Sequence, residues 1–353
     1  MARSRLGAEA CPGRQRILDS ASSRLWQSRG CVVSPRTGSV SSCAGARCDP
    51  HRIADQELPM ARLGAEEVQQ FRKEGWLVGR DAVSADLLAR LNRQLADWVE
   101  ESRSRIGNYG ETLAGTHRFD LEKGHSADRP RLRRVNNPVE VSDIFREATF
   151  DSAIADMAAE VISPDIKFLH SKVNLKLPGT DTRVGFHSDF AYVPHTNEDV
   201  VTTLLMLTDM TVDNGCLTVV PGSHLEAPRS LWRGDVFAGE VAPDAAAECV
   251  QRAVPVTGRA GSVVLMHAKT LHGSDPNRSG QARGLYIGIY SAADAMPISP
   301  NSLPNRDEGR MVRGQPTRTA RLGGGPVELP AAFRSTSFFE VQGQQSVYAN
   351  ANH

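Results

Sequence analysis

At 353 residues, with 40% hydrophobic and 23% charged side chains, the chain has enough apolar material for one or two cores and lies outside the composition of disordered or fibrous proteins. Its 41 basic and 41 acidic residues balance, which excludes the overall basic excess that nucleic-acid or anionic-membrane binding requires and points to a small-molecule partner. The uncharged apolar stretch at residues 200–208 is 9 residues long, well short of the roughly 20 needed to cross a bilayer, so no membrane span is expected.

Residues 1–59 differ from the rest. They hold nine Arg, no Lys, nine Ser and five acidic residues, with no apolar segment of a secretory signal. They read as a disordered extension, with organellar targeting as the alternative reading of the same Arg- and Ser-rich composition. Four of the six cysteines (Cys11, Cys31, Cys43, Cys48) fall in this stretch, leaving Cys216 and Cys249 beyond it. No zinc-type spacing appears, so free thiols in a reducing, cytoplasmic setting are expected.

From Ala65 to Trp76 the pattern predicts a short helix ended by Gly75, followed by an extended segment at residues 76–79. Ser84 can cap a second helix, in which Leu87, Leu88, Leu91, Leu95, Trp98 and Val99 recur at three- and four-residue steps. Residues 103–138 are polar with little periodicity, and residues 141–162 read as one more helix. After Pro164 come short β-like runs at 166–177, 200–208, 216–220, 262–266 and 284–290, separated by Gly, Pro, Asn and Asp. Helices that precede the strands rather than alternate with them argue against βαβ units. The fold class expected is mainly β, a double-stranded β-helix or jelly roll behind N-terminal covering helices, spanning residues 60–300. The segment 301–353 is expected to be an irregular tail covering the core.

The chemistry is carried by few residues. In Phe186-His187-Ser188-Asp189-Phe190 an extended chain would project His187 and Asp189 from one side. His272 follows 85 residues after His187, just beyond the run at 262–266. Two imidazoles and one carboxylate on a sheet face make a facial triad that holds Fe(II) and leaves adjacent coordination positions open. Arg283, 11 residues after His272, offers a planar fork for a distal carboxylate, the alternative being a salt bridge at a strand end.

Other residues read as structural. His267 falls on the face opposite His272, His224 in a Pro-Gly-Ser-His turn, and His195 and Tyr192 either on the pocket wall or in a solvated loop. Arg133, Arg134 and Asn136 read as a surface charge cluster, with contact to an anionic substrate as the alternative. His117 and His125 lie in the same polar stretch without usable spacing.

From Glu66 to Ala292 the sequence resembles the phytanoyl-CoA dioxygenase (PhyH) family of Fe(II)/2-oxoglutarate-dependent oxygenases. The likeness is carried by His170-Ser171-Lys172-Val173-Asn174-Leu175-Lys176 leading into the His187-Ser188-Asp189 segment, by Asp213-Asn214-Gly215-Cys216 through Pro221-Gly222-Ser223-His224, and by His272-Gly273-Ser274-Asp275-Pro276-Asn277 through Arg283. It implies iron ligation by His187, Asp189 and His272, and 2-oxoglutarate bound through Arg283 and Ser274. Asn174 matches an amide contact of the ectoine-hydroxylase branch, to which the likeness is local. The implied activity is hydroxylation of a small metabolite using O2, with release of succinate and CO2. A retained Asp189 argues against halogenation, whereas desaturation, epimerisation or ring formation could use the same iron site. A cupin-like metal-binding protein without redox chemistry is the alternative outside enzymology. His170, Val193 and Met266 stand where the ectoine branch has glutamine, tryptophan and phenylalanine, so ectoine is not implied as substrate, and nothing resembles a coenzyme A site.

Overall fold

The computed structural model describes residues 63–331 and Val341; the extension at 1–59 and the end of the tail lie outside the described residues. Helix α1 (Ala65–Glu74) stops at Gly75, whose φ of 80° and close approach to His224 and Thr270 leave no room for a side chain. Strand β1 (Trp76–Gly79) follows, then α2 (Ala85–Ser102), whose first turn is capped by the Ser84 hydroxyl accepting from the Leu87 N–H. Strands β2 (Tyr109–Glu111), β3 (His117–Leu121) and β4 (Leu132–Asn136) lead to α3 (Asp143–Phe150) and α4 (Ala153–Ile162). The remaining strands are β5 (Ile166–Lys176), β6 (Val184–His187), β7 (Val200–Met206), β8 (Leu217–Val219), β9 (Trp232–Arg233) and β10 (Val236–Phe237). After helix α5 (Pro243–Arg252) come β11 (Val254–Val256), β12 (Val263–His267), β13 (His272–Ser274), β14 (Arg283–Ala292), β15 (Met311–Arg313), β16 (Thr319–Leu322) and β17 (Gly325–Glu328).

The strands form a nine-stranded antiparallel sheet in the order β1-β12-β7-β14-β5-β4-β3-β2, with β15 also on β5, and a four-stranded antiparallel sheet in the order β11-β8-β13-β6. Strand alternation sorts the two faces of the large sheet. On β7 and β14, Leu204, Met206, Leu285 and Ile287 meet Leu217, Val219 and Val256 of the small sheet. Val201, Leu205, Tyr286 and Tyr290 turn the other way, onto Leu91, Leu95, Trp98, Phe145, Ile154 and Met157 of the helices. Every residue of β7 and β14 is buried, as expected of central strands covered on both sides. The result is a jelly roll with its cavity between the sheets and helices behind the larger one. Among the described residues no helix is long and apolar enough to cross a membrane.

The structure corrects three expectations. The polar stretch at 103–138 contains β2, β3 and β4, which extend the large sheet. Each has few inward positions, so its apolar signal is thin: Phe119 packs on Tyr109 and Trp98 with ring centroids 4.6 and 5.7 Å apart, and a buried Arg118–Glu140 ion pair at 2.8 Å takes the place of apolar packing. The single helix expected at 141–162 is two, because Ser142 and Ser152 each cap a new start with the side-chain oxygen. The tail is not irregular throughout, since β15 pairs with β5 and β16 with β17. Helix α5 lies where no element was predicted; it starts with Pro243 and buries Cys249.

Leu205 is fully buried between the large sheet and the helices. Leu205→Ala is expected to lower unfolding free energy by about 2–5 kcal/mol, measured as the shift of the denaturant midpoint at unchanged slope.

Candidate active site

Strands β13 and β6 pair so that His272 lies directly opposite His187, with ring centroids 4.2 Å apart. The Nδ1–H of His187 donates to the Gly185 carbonyl at 2.8 Å and that of His272 to the Thr270 carbonyl at 3.0 Å. A carbonyl only accepts, so both rings carry their proton on Nδ1 and present a bare Nε2 to the cavity. Asp189 opens a short 3-10 turn after β6, and its Oδ1 lies 3.8 Å from the His187 Nε2 and 3.9 Å from the His272 Nε2. Its other oxygen accepts from the Thr202 hydroxyl at 2.7 Å. One ligand atom from each of the three residues lies within 4.8 Å of the others, a set able to hold a single metal ion.

The electrostatics suit a cation. Burial, helped by the neighbouring His272, brings His187 down to about 4, which keeps it neutral and able to ligate near neutral pH. Burial alone would raise the Asp189 carboxyl, but His272, His187, Lys172 and the Thr202 hydroxyl outweigh it and hold the group at about 2.

The same cavity, about 310 Å³, also contains Asn174, Lys176, Ser274 and Arg283. Arg283 is 5% exposed and donates from Nη2 to the Gly215 carbonyl at 3.0 Å, while its buried Nε has no partner. Among the described residues it makes no salt bridge, so the strand-end ion pair does not account for it. Burial alone moves the guanidinium down to about 10. A buried cationic donor with an unpartnered Nε on the cavity wall fits a carboxylate ligand. Lys176 lies opposite Arg283 in the β5–β14 register; its ammonium donates to the Ser274 hydroxyl at 2.7 Å and to the Asp275 carbonyl. Burial, reinforced by Arg283, brings Lys176 down to about 7. Asn174 Oδ1 accepts from Arg134 Nε at 2.9 Å.

Several cavity residues were missed or misassigned in the sequence. Arg134 and Arg133 both line the cavity, Arg133 paired with Asp120 at 2.9 Å, whereas Asn136 donates to the His117 carbonyl. Lys172 and Lys176 went unremarked. The signal was present: His170, Lys172, Asn174 and Lys176 alternate along one strand that can only be internal. Tyr192 lines an adjoining cavity, its ring edge-on to His187 at 5.8 Å and its hydroxyl donating to the Gly239 carbonyl. His195 is buried with Nδ1 on the Val193 carbonyl. His224 and His267 lie 5.1 Å apart, and His224 bonds to the Arg72 carbonyl at the end of α1. His125 is taken up by the backbone of Ser102 and Arg131, and His117 is exposed on β3.

Residues 71–285 match the family model described as phytanoyl-CoA dioxygenase (PhyH). The chain belongs to the phytanoyl-CoA dioxygenase family. It is 29% identical over 272 residues to a probable alpha-ketoglutarate-dependent hypophosphite dioxygenase of Stutzerimonas stutzeri, covering 75% of this chain and 90% of that protein. It is 26% identical over 271 residues to an ectoine dioxygenase of Stutzerimonas stutzeri strain A1501, covering 72% and 85%. Among solved structures, the non-heme alpha ketoglutarate dependent carbocyclase SnoK from nogalamycin biosynthesis superposes with a TM-score of 0.52 at 22% identity, over 69% of this chain and 94% of that one. The chain is a 2-oxoglutarate-dependent dioxygenase of the PhyH family that uses non-haem iron and O2 on a small molecule.

Gly273 separates His272 from Ser274, and a Cβ there would sit 2.9 Å from the Val184 carbonyl oxygen. Gly273→Ala should force β13 off β6 and spread the two imidazoles. Ferrous affinity, followed by anaerobic titration, is expected to fall about tenfold or more, with the chain still folded by circular dichroism.

Proposed function

We propose that the enzyme hydroxylates an unactivated bond of a small metabolite, with His187, Asp189 and His272 holding Fe(II) and with Arg283, Ser274 and Asn174 holding 2-oxoglutarate. The observation that carries this reading is that the triad shares one cavity with a buried guanidinium that has no carboxylate partner among the described residues. When bound, the iron would supply a site for activating O2, which is the oxidant, while 2-oxoglutarate gives up two electrons and leaves as succinate and CO2.

The protein's part is positional. Gly185 and Thr270 carbonyls fix the two rings, and Thr202 fixes Asp189, so the ligand atoms are arranged before a metal arrives. Arg283 and Ser274 would take the far carboxylate of the cosubstrate, with Lys176 adding charge next to Ser274. Leu204, Leu217, Leu285 and Ile287 form the apolar part of the wall, which limits water near the reacting bond. Residues 60–300 form the oxygenase unit in this reading. The segment from residue 301 borders the cavity rim, where Asn301 Oδ1 accepts from the His170 Nδ1–H at 2.7 Å and Leu303 lines the outer cavity. A cytoplasmic location is supported by Cys216 and Cys249, both free and buried.

Three measurements test the assignment. Asp189→Ala should abolish succinate formation and weaken iron binding, since the carboxylate offsets part of the metal's charge; undiminished turnover would remove Asp189 from the ligand set. Arg283→Ala should raise the 2-oxoglutarate requirement by an amount equivalent to roughly 2–5 kcal/mol, with little change in iron affinity. The third concerns pH. Lys176, brought down to about 7, is charged below that pH and neutral above it, and a dianion binds the charged form. Affinity for 2-oxoglutarate should therefore weaken as pH rises from 6 to 8, by at most about tenfold. The slope should flatten in Lys176→Met, read by calorimetry at several pH values.

A further inference from the structure

Resting on the iron reading above, we propose that Thr270 is a positioning residue for the metal site: its hydroxyl ties the turn between β12 and β13 to the end of helix α1, and that turn sets both His272 and Asp189. The turn, residues 268–271, reaches two of the three candidate metal ligands. The Thr270 carbonyl accepts from the His272 Nδ1–H at 3.0 Å. The Ala268 carbonyl accepts at 2.8 Å from the N–H of Phe190, which follows Asp189 in the short 3-10 turn after β6. Ala268 and Thr270 are both fully buried. A displacement of this turn therefore reorients an imidazole and moves the segment that presents the carboxylate, and groups that orient a ligand govern metal affinity nearly as much as the ligand itself.

The turn is held partly by its surroundings on the ligand side. The Ala268 N–H donates to the Val200 carbonyl at 2.9 Å, the Leu271 N–H to the Ser223 hydroxyl at 2.9 Å, and the Leu271 carbonyl accepts from the Val220 N–H at 2.8 Å. Thr270 reaches elsewhere. Its hydroxyl donates at 2.9 Å to the carbonyl of Gly75, 195 positions away at the end of α1. Ala268 and Leu271 are apolar and Lys269 pairs with Glu198 at 2.8 Å, so the hydroxyl is the side-chain tie between turn and helix. The Gly75 end of that tie is fixed: its N–H closes α1 on the Phe71 carbonyl at 2.8 Å, and a Cβ on it would lie 2.5 Å from the Thr270 Oγ1. The Gly75 carbonyl already accepts the His267 N–H at 2.8 Å, so it does not need the hydroxyl to be satisfied. What the second bond adds is a set distance between the helical cover and the turn. By reciprocity, a contact that raises iron affinity is itself stabilised when iron binds.

The test uses the full chain and anaerobic titration with Fe(II). Thr270→Val keeps the side chain's shape, removes the donor and leaves the Gly75 carbonyl its backbone partner; ferrous affinity should fall about tenfold. The visible band that Fe(II) and 2-oxoglutarate give together should move in energy. Thr270→Ser retains the hydroxyl and should return both readings, the affinity to within about twofold of wild type. Thr149→Val is the control for a lost buried hydroxyl away from the turn, one that bonds the Phe145 carbonyl at 2.6 Å behind the large sheet. It should lower the denaturant midpoint and leave ferrous affinity within about twofold. In the wild type, hydrogen exchange should show the His267 amide gaining more protection on Fe(II) binding than the amides of the β16–β17 pair, and this arm holds even where Thr270→Val does not fold. Wild-type ferrous affinity in Thr270→Val would overturn the proposal. So would a loss that Thr270→Ser does not rescue or that Thr149→Val equals, or a His267 amide no more protected by iron than those of β16 and β17, since each reduces Thr270 to ordinary packing. If the wild-type chain does not bind Fe(II), the triad reading itself has failed, an outcome distinct from all of these.

Discussion

The pairing of β13 with β6 is the constraint on which the chemistry depends. It sets His272 against His187 across two short strands, and a backbone carbonyl within two residues of each ring fixes which nitrogen is bare. Neither strand is long, and the small sheet that contains them has only four members. Its position is therefore held from outside, by β8 on one side of β13 and by the apolar contacts of Leu217 and Val219 with the large sheet. The larger sheet acts as the rigid platform and the smaller one carries the two candidate ligand imidazoles.

A second constraint works against stability. Arg283 and Lys176 lie opposite each other in the central β14–β5 pair, buried, both basic and, among the described residues, without a salt bridge. Facing like charges in a sheet are unfavourable, and a buried cation without its counter-ion more so. The fold tolerates both because β14 and β5 are locked by the longest pairing in the molecule and by Tyr286 and Tyr290 in the helix-side core. An electrostatic cost of this kind fits residues fixed by binding rather than by folding, as the proposed cosubstrate site requires.

Much of this was legible from the amino-acid order. Leu87, Leu91, Leu95 and Trp98 announced a helix with one buried face, and the apolar runs around 200–208 and 284–290 announced central strands. His187, Asp189, His272, Ser274 and Arg283 stood out because catalytic residue types in a fixed order are rare, and all five line one cavity. What failed to show were elements with weak apolar patterns. Strands β2 to β4 sit toward one edge of the large sheet with few apolar inward residues, and Arg118 with Glu140 fills inward space that periodicity assigns to hydrophobic residues. Arg134 and Arg133 are adjacent and chemically alike, yet strand alternation gives them different partners, Asn174 for the first and Asp120 for the second.

By itself the sequence determined the local preferences and the inventory: which segments coil, which extend, which residues can bind a metal or a carboxylate, and the mainly β class. Tertiary structure decided which of them meet. Two histidines 85 positions apart become neighbours only through an antiparallel register, and a register is set by the packing of whole sheets rather than by any short segment. The same holds for charge, since whether an arginine is paired or left facing a cavity depends on what the rest of the chain places within reach. That is a long-range property, which no window of residues contains.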